Sequence, residues 1–155
     1  MIGETTNSFN VVVGEHDLSV ADGEETFSVC NMKIHPEYNS DTNDHDVAIL
    51  TLCNPLTFRR EVSPVCLPSQ TGDAYDDVEA TVTGWGTLFA GGPSPDVLNG
   101  VNVRTIGNAE CGGNYGGGII KDSMICAKDQ GKDACQGDSG GDFVDNDLFT
   151  LNLLL

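Results

Sequence analysis

The sequence has few basic residues and lacks the features of a membrane-spanning or nucleic-acid-binding protein. Its 155 residues include 7 Lys and Arg against 24 acidic residues, giving a formal net charge of -17. This sign of charge repels nucleic-acid phosphates and anionic lipids. No apolar run reaches the roughly 20 residues that cross a bilayer, and the apolar residues 148–155 are too few. We therefore expect no nucleic-acid partner, no membrane span and a soluble acidic surface.

Two further absences concern metal motifs and export. None of the six cysteines belongs to a Cys-x-x-Cys pair, which disfavours a zinc or redox motif. Residues 1–10 have neither a basic region nor a long apolar core, so they do not predict a signal peptide. An even number of cysteines in loop-rich sequence instead favours disulfides and an oxidising compartment. Because these indications conflict, we expect the natural N-terminus to lie upstream of Met1.

Sustained helical periodicity is also missing, and short β-rich runs recur instead. Clusters of Gly, Pro, Asn and Asp separate these runs, and the 19 glycines suit tight turns. The runs lie at residues 10–13, 27–34, 47–52, 78–83 and 97–105. This pattern predicts an all-β sandwich or barrel, with a boundary between two halves near residues 64–68. The glycine-rich residues 112–118 are assigned to a loop.

The most informative segment is residues 132–141, which place Ser139 among glycines. Glycine permits unusual backbone angles and leaves backbone amides uncovered. Such a serine is either an exposed nucleophile beside oxyanion-binding N–H groups or a turn former in a glycine-rich loop. The spacing alone leaves both interpretations open.

This segment and five others together resemble the chymotrypsin/trypsin family of serine proteases. The other matching segments lie at residues 34–39, 44–50, 63–68, 83–87 and 124–127. The resemblance spans roughly residues 11–141, in the family's order. It implies one trypsin-like peptidase domain of two antiparallel β-barrels, each missing strands. Residues 1–68 would be the remnant of the N-terminal barrel, and residues 69–155 the truncated C-terminal barrel.

The resemblance assigns roles to the residues of the catalytic centre. Ser139 is implied as the nucleophile, and the N–H groups of Gly137 and Ser139 as the oxyanion hole. Asp138 is implied to accept the new N-terminal ammonium group after zymogen cleavage. Asp133 is implied to lie at the base of the specificity pocket and to select Arg or Lys. Asp46 is implied as the triad aspartate, which holds the histidine tautomer and stabilises the imidazolium.

The triad histidine has no counterpart in this sequence. The family supplies it from a Thr-Ala-Ala-His-Cys-type motif, which is absent here. His16, His35 and His45 match other places in the family pattern, and we expect none of them to act as the base. The side chain of His45 is expected to point away from the Asp46 side of the strand. Because losing the histidine of a triad lowers turnover by about 10⁶-fold, the chain as written is predicted to be inactive.

Both ends of the sequence depart from the family pattern. It begins Met1-Ile2-Gly3-Glu4 rather than with an insertable Ile-Val-Gly-Gly, and Asp142 stands where the family usually has proline. The strand that walls the specificity pocket has no counterpart. We therefore expect an incomplete chain with open sheet edges and low stability on its own.

The resemblance also bears on the cysteines. The expected disulfides are Cys30–Cys53 and Cys111–Cys126. Cys66 and Cys135 are left without partners in the sequence. Such orphans in a secreted protein indicate missing sequence or intermolecular pairing.

An acidic loop resembles the calcium loop of the same family. Carboxylates and backbone carbonyls are the oxygen ligands that Ca²⁺ prefers. The implied ligands are Glu15, Asp17, Val20, Asp22 and Glu25. The alternative is an acidic surface loop that binds no metal. No catalytic cofactor is expected.

Three functions remain open, in the following order. The first is an extracellular trypsin-like endopeptidase that acts on proteins or peptides after Arg or Lys and is bound by protease inhibitors. The second is a non-catalytic serine protease homologue that binds a partner or regulates a cascade, which the missing histidine favours. The third is a small acidic calcium-binding module, which leaves the serine segment unexplained. The first ranks highest because Ser139, Asp46 and Asp133 are all present.

Overall fold

Short β-strands make up most of the regular structure. The computed structural model describes residues 10–67, 75–129, 136–145 and 149–152. The strands are β1 (Asn10–Val13), β2 (Glu25–Ile34), β3 (Ala48–Leu52), β4 (Glu79–Gly84), β5 (Asn99–Ile106), β6 (Cys126–Lys128), β7 (Asp142–Asp145) and β8 (Phe149–Asn152). The helix α1 runs from Asn108 to Tyr115, between β5 and β6. The prediction of an all-β fold is confirmed.

The strands form two antiparallel sheets. The first has three strands in the order β1-β2-β3, and the second has five in the order β6-β5-β4-β7-β8. Within the described ranges neither sheet closes on itself. The two predicted barrels are therefore seen as two open antiparallel sheets.

The core lies on one face of the second sheet. Alternate residues of a strand point to the same face, so Ala80 and Val82 of β4 are buried together. They pack in one cluster with Val103 of β5 and Phe143 of β7. Phe143 is only 2% exposed, and burying a side chain of this kind contributes about 1.5–3 kcal/mol. This packing fixes the start of β7, which directly follows the predicted nucleophile segment.

The first sheet has much less core. Val29 is 2% exposed, whereas Ile49 and Leu50 of β3 are 64% and 41% exposed. The Cys30–Cys53 disulfide ties β2 to the end of β3. The disulfide therefore stabilises a sheet that buries few apolar side chains.

A backbone contact joins the two halves of the chain. The N–H of Leu18 donates to the carbonyl of Asp96 at 2.9 Å, and the N–H of Leu98 donates to the carbonyl of His16 at 2.8 Å. Trp85 donates its indole N–H to the same His16 carbonyl at 3.3 Å. The loop after β1 is thereby held against the segment that leads into β5.

The helix α1 corrects the sequence analysis, which assigned residues 112–118 to a loop. Glycine is a poor helix former, yet Gly112 and Gly113 lie inside α1. Tertiary contacts outweigh this propensity, because Cys111 is buried and disulfide-bonded to Cys126. The helix ends at Gly116, whose φ of 87° is the left-handed conformation that glycine adopts readily. No helix in the described part of the chain is long and apolar enough to cross a bilayer.

Candidate active site

Ser139 lies on a tight, exposed turn. The N–H of Gly141 donates to the carbonyl of Asp138 at 2.8 Å, which closes the turn around Ser139 and Gly140. Gly140 has a φ of 77°, a conformation that favours glycine. The side chain of Ser139 is exposed at the tip. The turn therefore presents the hydroxyl to solvent from a fixed backbone.

A close approach of two backbone segments fixes that turn. The Asp138 carboxylate packs against Gly84 and Gly86 and accepts the N–H of Gly86 at 2.8 Å. A Cβ added at Gly84 would lie 2.1 Å from Asp138 Oδ1, and one at Gly86 would lie 2.4 Å from the carboxyl group. The segment with Ser139 can dock here only because both positions are glycine. Asp138, predicted to bind an N-terminal ammonium group, thus holds the turn against β4.

The residue before Asp138 is equally constrained. Gly137 has a φ of 102°, and a Cβ there would lie 3.1 Å from Cα of Gly86. Next to it, the N–H of Thr87 donates to the carbonyl of Gln136 at 2.9 Å. Within residues 136–145 and the other described ranges, no backbone hydrogen bond uses the N–H of Gly137 or Ser139. These are the two donors that the resemblance assigns to an oxyanion hole.

Asp46 lies on the short connection into β3 and is half-buried. The N–H of Val47 donates to the carbonyl of His45 at 2.9 Å, so the backbone bends sharply around Asp46. His45 takes a positive φ of 55° in this bend. No described residue forms a hydrogen bond or ion pair with the Asp46 carboxylate.

The three histidines have other contacts. His45 directs Nδ1 to Asp44 Oδ1 at 2.9 Å and Nε2 towards Glu37 Oε2 at 3.6 Å. The ring of His35 packs against that of His45, tilted by 34°, with centroids 4.6 Å apart. His16 is exposed and uses its backbone carbonyl. In the part of the chain that the structure describes, no hydrogen bond connects any of them to Ser139 or Asp46.

Two predicted positions lie outside the described residues. These are Asp133, the implied specificity residue, and Cys135, one of the two cysteines expected to lack a partner. The second of these cysteines, Cys66, is an exposed free thiol. The two disulfides, Cys30–Cys53 and Cys111–Cys126, are the pairs that the resemblance implied.

The acidic loop after β1 is held by protein donors. The Asp17 carboxylate accepts the hydroxyl of Ser19 at 2.7 Å and its N–H at 3.0 Å. These two bonds hold the pKa of Asp17 below its ordinary value, and the bond from the hydroxyl has the larger effect. Glu24 folds back on its own N–H and that of Asp22, which likewise lowers the Glu24 pKa.

Two of the predicted calcium ligands have partners within the protein. The guanidinium of Arg59 pairs with Glu25 and donates to the carbonyl of Gly23 at 2.8 Å. The Asp17 carbonyl accepts the N–H of Val20 at 3.1 Å. A calcium ion would therefore have to displace an arginine from Glu25, and the loop in this arrangement does not fit the ion. The calcium site stays a prediction.

One cluster was missed by the sequence reasoning. His35, Glu37 and His45 each offer a ligand atom, and these atoms lie within 4.8 Å of one another. His35 precedes the loop and His45 ends it, ten residues later. The available signal was their position between two paired strands, because the ends of such a loop meet.

The chain is similar to known proteases over nearly its whole length. A family model described as Trypsin matches residues 2–151. The chain is 44% identical over 147 residues to Trypsin-1 of Astacus astacus, covering 93% of this chain and 61% of that protein. It is 38% identical over 141 residues to Trypsin of Squalus acanthias, covering 89% and 60%. It is 35% identical over 151 residues to Venom serine protease of Polistes dominula, covering 94% and 53%. It thus spans roughly six tenths or less of the length of these relatives.

Proposed function

The chain belongs to the trypsin family of serine proteases, and on this premise we propose that it carries the nucleophile and the triad aspartate of an endopeptidase that cleaves after Arg or Lys. We also propose that these 155 residues by themselves do not hydrolyse peptide bonds. The observation that carries the first proposal is the tight, hydrogen-bonded turn that exposes Ser139. The absence of the histidine motif supports the second.

In the proposed reaction, Ser139 Oγ attacks the carbonyl carbon of the scissile bond. The carbonyl oxygen becomes an oxyanion, which the N–H groups of Gly137 and Ser139 stabilise. A preorganised hole of this kind costs no reorganisation during reaction, and removing one donor typically lowers turnover about 10²–10³-fold. The docking of Gly137 against Gly86 supports such preorganisation, because it restricts the backbone on one side of the serine.

The proton of Ser139 must pass to a base. In the Ser-His-Asp arrangement that base is an imidazole within hydrogen-bond reach of the serine, and the aspartate orients it. The half-buried position of Asp46 suits the aspartate role. His35 and His45 are held in their own loop, so we propose that the imidazole is supplied from outside these 155 residues.

Specificity is proposed to come from Asp133. A carboxylate at the base of a narrow pocket favours the extended cationic side chains of Arg and Lys. The substrates would be proteins or peptides, and the same surface would bind protease inhibitors. The two disulfides support an extracellular location, because such bonds persist in oxidising compartments.

The proposal is tested by supplying the missing part. The parts of Trypsin-1 of Astacus astacus that lie outside its match to this chain, a relative at 44% identity of which the chain covers 61%, are fused to the corresponding ends of this chain. We propose that these parts bring the histidine and complete the specificity pocket. We expect hydrolysis of Arg and Lys peptide amides that Ser139→Ala abolishes and that Asp46→Asn lowers about 10⁴-fold. Asp133→Ser should remove the preference for Arg and Lys over Phe. A folded fusion whose activity is unchanged by Ser139→Ala would contradict the assignment of the nucleophile.

The alternative is a non-catalytic homologue that acts by binding. It is favoured by one observation, that none of the three histidines contacts Ser139 or Asp46 within the described ranges. A fusion that folds and binds a trypsin inhibitor but shows no turnover would select this alternative. The outcome therefore distinguishes the two functions.

A further inference from the structure

His35, Glu37 and His45 form a compact group at the base of the loop between β2 and β3. Their ligand atoms lie within 4.8 Å of one another. His45 Nε2 lies 3.6 Å from Glu37 Oε2. Two such ligands on one tetrahedral zinc ion lie about 3.4 Å apart, given metal–ligand bonds of about 2.0–2.2 Å. Small side-chain movements would bring all three onto one ion.

The loop backbone holds these residues together without a metal. The N–H of His35 donates to the carbonyl of Val47 at 3.0 Å, and the N–H of Asn39 donates to the carbonyl of Asp44 at 3.0 Å. The first bond closes the loop at its base, and the second closes it nearer its tip. Binding would therefore require little ordering of the chain, which favours affinity.

The hydrogen bonds around the His45 ring suit ligation. Asp44 Oδ1 lies 2.9 Å from His45 Nδ1, which favours a proton on Nδ1 and leaves Nε2 as the ligand atom. A carboxylate behind a metal-bound histidine orients the ring and raises its basicity. Ser123 donates its hydroxyl to the same Asp44 oxygen and accepts the N–H of His45 at 3.2 Å. His35 Nδ1 accepts the N–H of Glu37 at 3.2 Å, so a metal ion bound to either nitrogen of the His35 ring would replace this hydrogen bond.

From this arrangement we propose that His35, Glu37 and His45 bind a divalent transition-metal ion of the zinc class, with Asp44 orienting His45. Two imidazoles and one carboxylate are a ligand set that zinc uses, and imidazole disfavours calcium and magnesium. The exposure of Glu37, at 74%, leaves room for water at a fourth position. The net charge of -17 adds an attraction for any cation. The proposal goes beyond the protease function and does not depend on it.

Binding would also stiffen the bend that places Asp46. His45 directly precedes Asp46 and takes a positive φ there. An ion bound to both ends of the loop would restrict this bend. The site therefore lies where it can stabilise the segment proposed to carry the triad aspartate.

The test uses the full chain with its free thiols alkylated, because Cys66 is an exposed free thiol that could bind zinc. Zn²⁺ is titrated in competition with a chromophoric chelator, and Co²⁺ is added as a spectroscopic probe. We expect one equivalent of Zn²⁺ to bind far more tightly than Ca²⁺ or Mg²⁺, and the Co²⁺ spectrum to show tetrahedral d–d bands without thiolate bands.

Variants then locate the ion. Glu37→Gln, at an exposed side chain, and His45→Asn should each weaken zinc binding more than 100-fold, whereas Asp44→Asn should weaken it about 10–100-fold. His16→Ala removes the remaining histidine and should leave the affinity unchanged. Urea unfolding without metal shows whether each variant is folded. Tight binding that survives Glu37→Gln and His45→Asn, or that His16→Ala removes, would overturn the site. So would no zinc binding stronger than that of calcium.

Discussion

At the scale of single residues, the glycines on either side of Trp85 decide where Ser139 lies. Gly84 and Gly86 leave the space that the Asp138 carboxylate occupies. Neither has a positive φ, so the need for glycine at these positions is steric. The absence of a side chain at Gly84 and Gly86 is therefore needed for the turn at Ser139, as are the backbone conformations of Gly137 and Gly140.

Replacing Gly86 by Ala tests this packing. The new Cβ would lie 2.4 Å from the Asp138 carboxyl group, and overpacking of this kind costs about 1–3 kcal/mol. We expect the free energy of unfolding in urea to fall by that amount. Gly113→Ala is the matched control, because nothing lies within 4 Å of its added Cβ, and it should stabilise α1 by about 0.5–1 kcal/mol. Equal effects of the two substitutions would contradict the steric argument.

The carboxylate of Asp17 gives a second prediction for a single residue. Its pKa is lowered chiefly by the Ser19 hydroxyl and then by the Ser19 N–H. A folded-state pKa below the unfolded one stabilises the protein above the unfolded pKa, and this stability is lost as the pH falls through the folded pKa. In a carbon-13 NMR titration, Ser19→Ala should raise the pKa of Asp17 towards its ordinary value, while the Glu24 pKa should not change. An unchanged Asp17 titration would show that the hydroxyl bond is not the cause.

At the scale of elements, the arginine that pairs with the acidic loop, Arg59, is the main obstacle to calcium binding. Arg59 neutralises Glu25, one of the predicted ligands. Arg59→Gln should therefore increase the gain in melting temperature that added Ca²⁺ produces, because an ion that binds only the folded state stabilises it. Arg104→Gln, which breaks the pair with Asp77 outside the loop, is the control and should not change that gain. No calcium-dependent gain in any of the three proteins would exclude the site.

The elements also show how far sequence reasoning reaches. The runs at residues 10–13, 27–34 and 47–52 correspond to β1, β2 and β3 within two residues, because short β-rich runs with flanking turn formers indicate strands. The helix α1 was missed because Gly112 and Gly113 oppose helix formation. The interactions that enforce α1 are distant in sequence. They are the disulfide from Cys111 to Cys126 and hydrogen bonds from Asn108 to the carbonyls of Lys121 and Met124.

The candidate site also contains residues that sequence motifs indicate and residues that only the fold brings together. The roles predicted for Ser139 and Asp46 rest on the short, ordered motifs that surround them. The proximity of His35, Glu37 and His45 depends instead on loop closure and on the positive φ angles of Asn43 and His45. The sequence places the three residues between two paired strands, but it does not indicate these backbone angles, so the close approach of the side chains was not predicted.

At the scale of the whole molecule, the two sheets differ in how much apolar surface they bury. The second sheet has a buried cluster around Phe143, whereas β3 of the first sheet exposes Ile49 and Leu50. Ser139 lies just before β7 of the better packed sheet, and Asp46 lies just before β3 of the other. Catalysis in this family needs both residues to meet at one imidazole, so the arrangement of the sheets matters as much as either residue.

The most direct test of the central claim is the hydrolysis of an Arg peptide amide by the 155-residue chain alone, compared with its Ser139→Ala variant. Without an imidazole to take the serine proton, both proteins should give the same background rate, since losing the histidine of a triad costs about 10⁶-fold in turnover. Turnover by the chain that Ser139→Ala abolishes would contradict the claim. It would mean that His16, His35 or His45 reaches the serine and serves as the base.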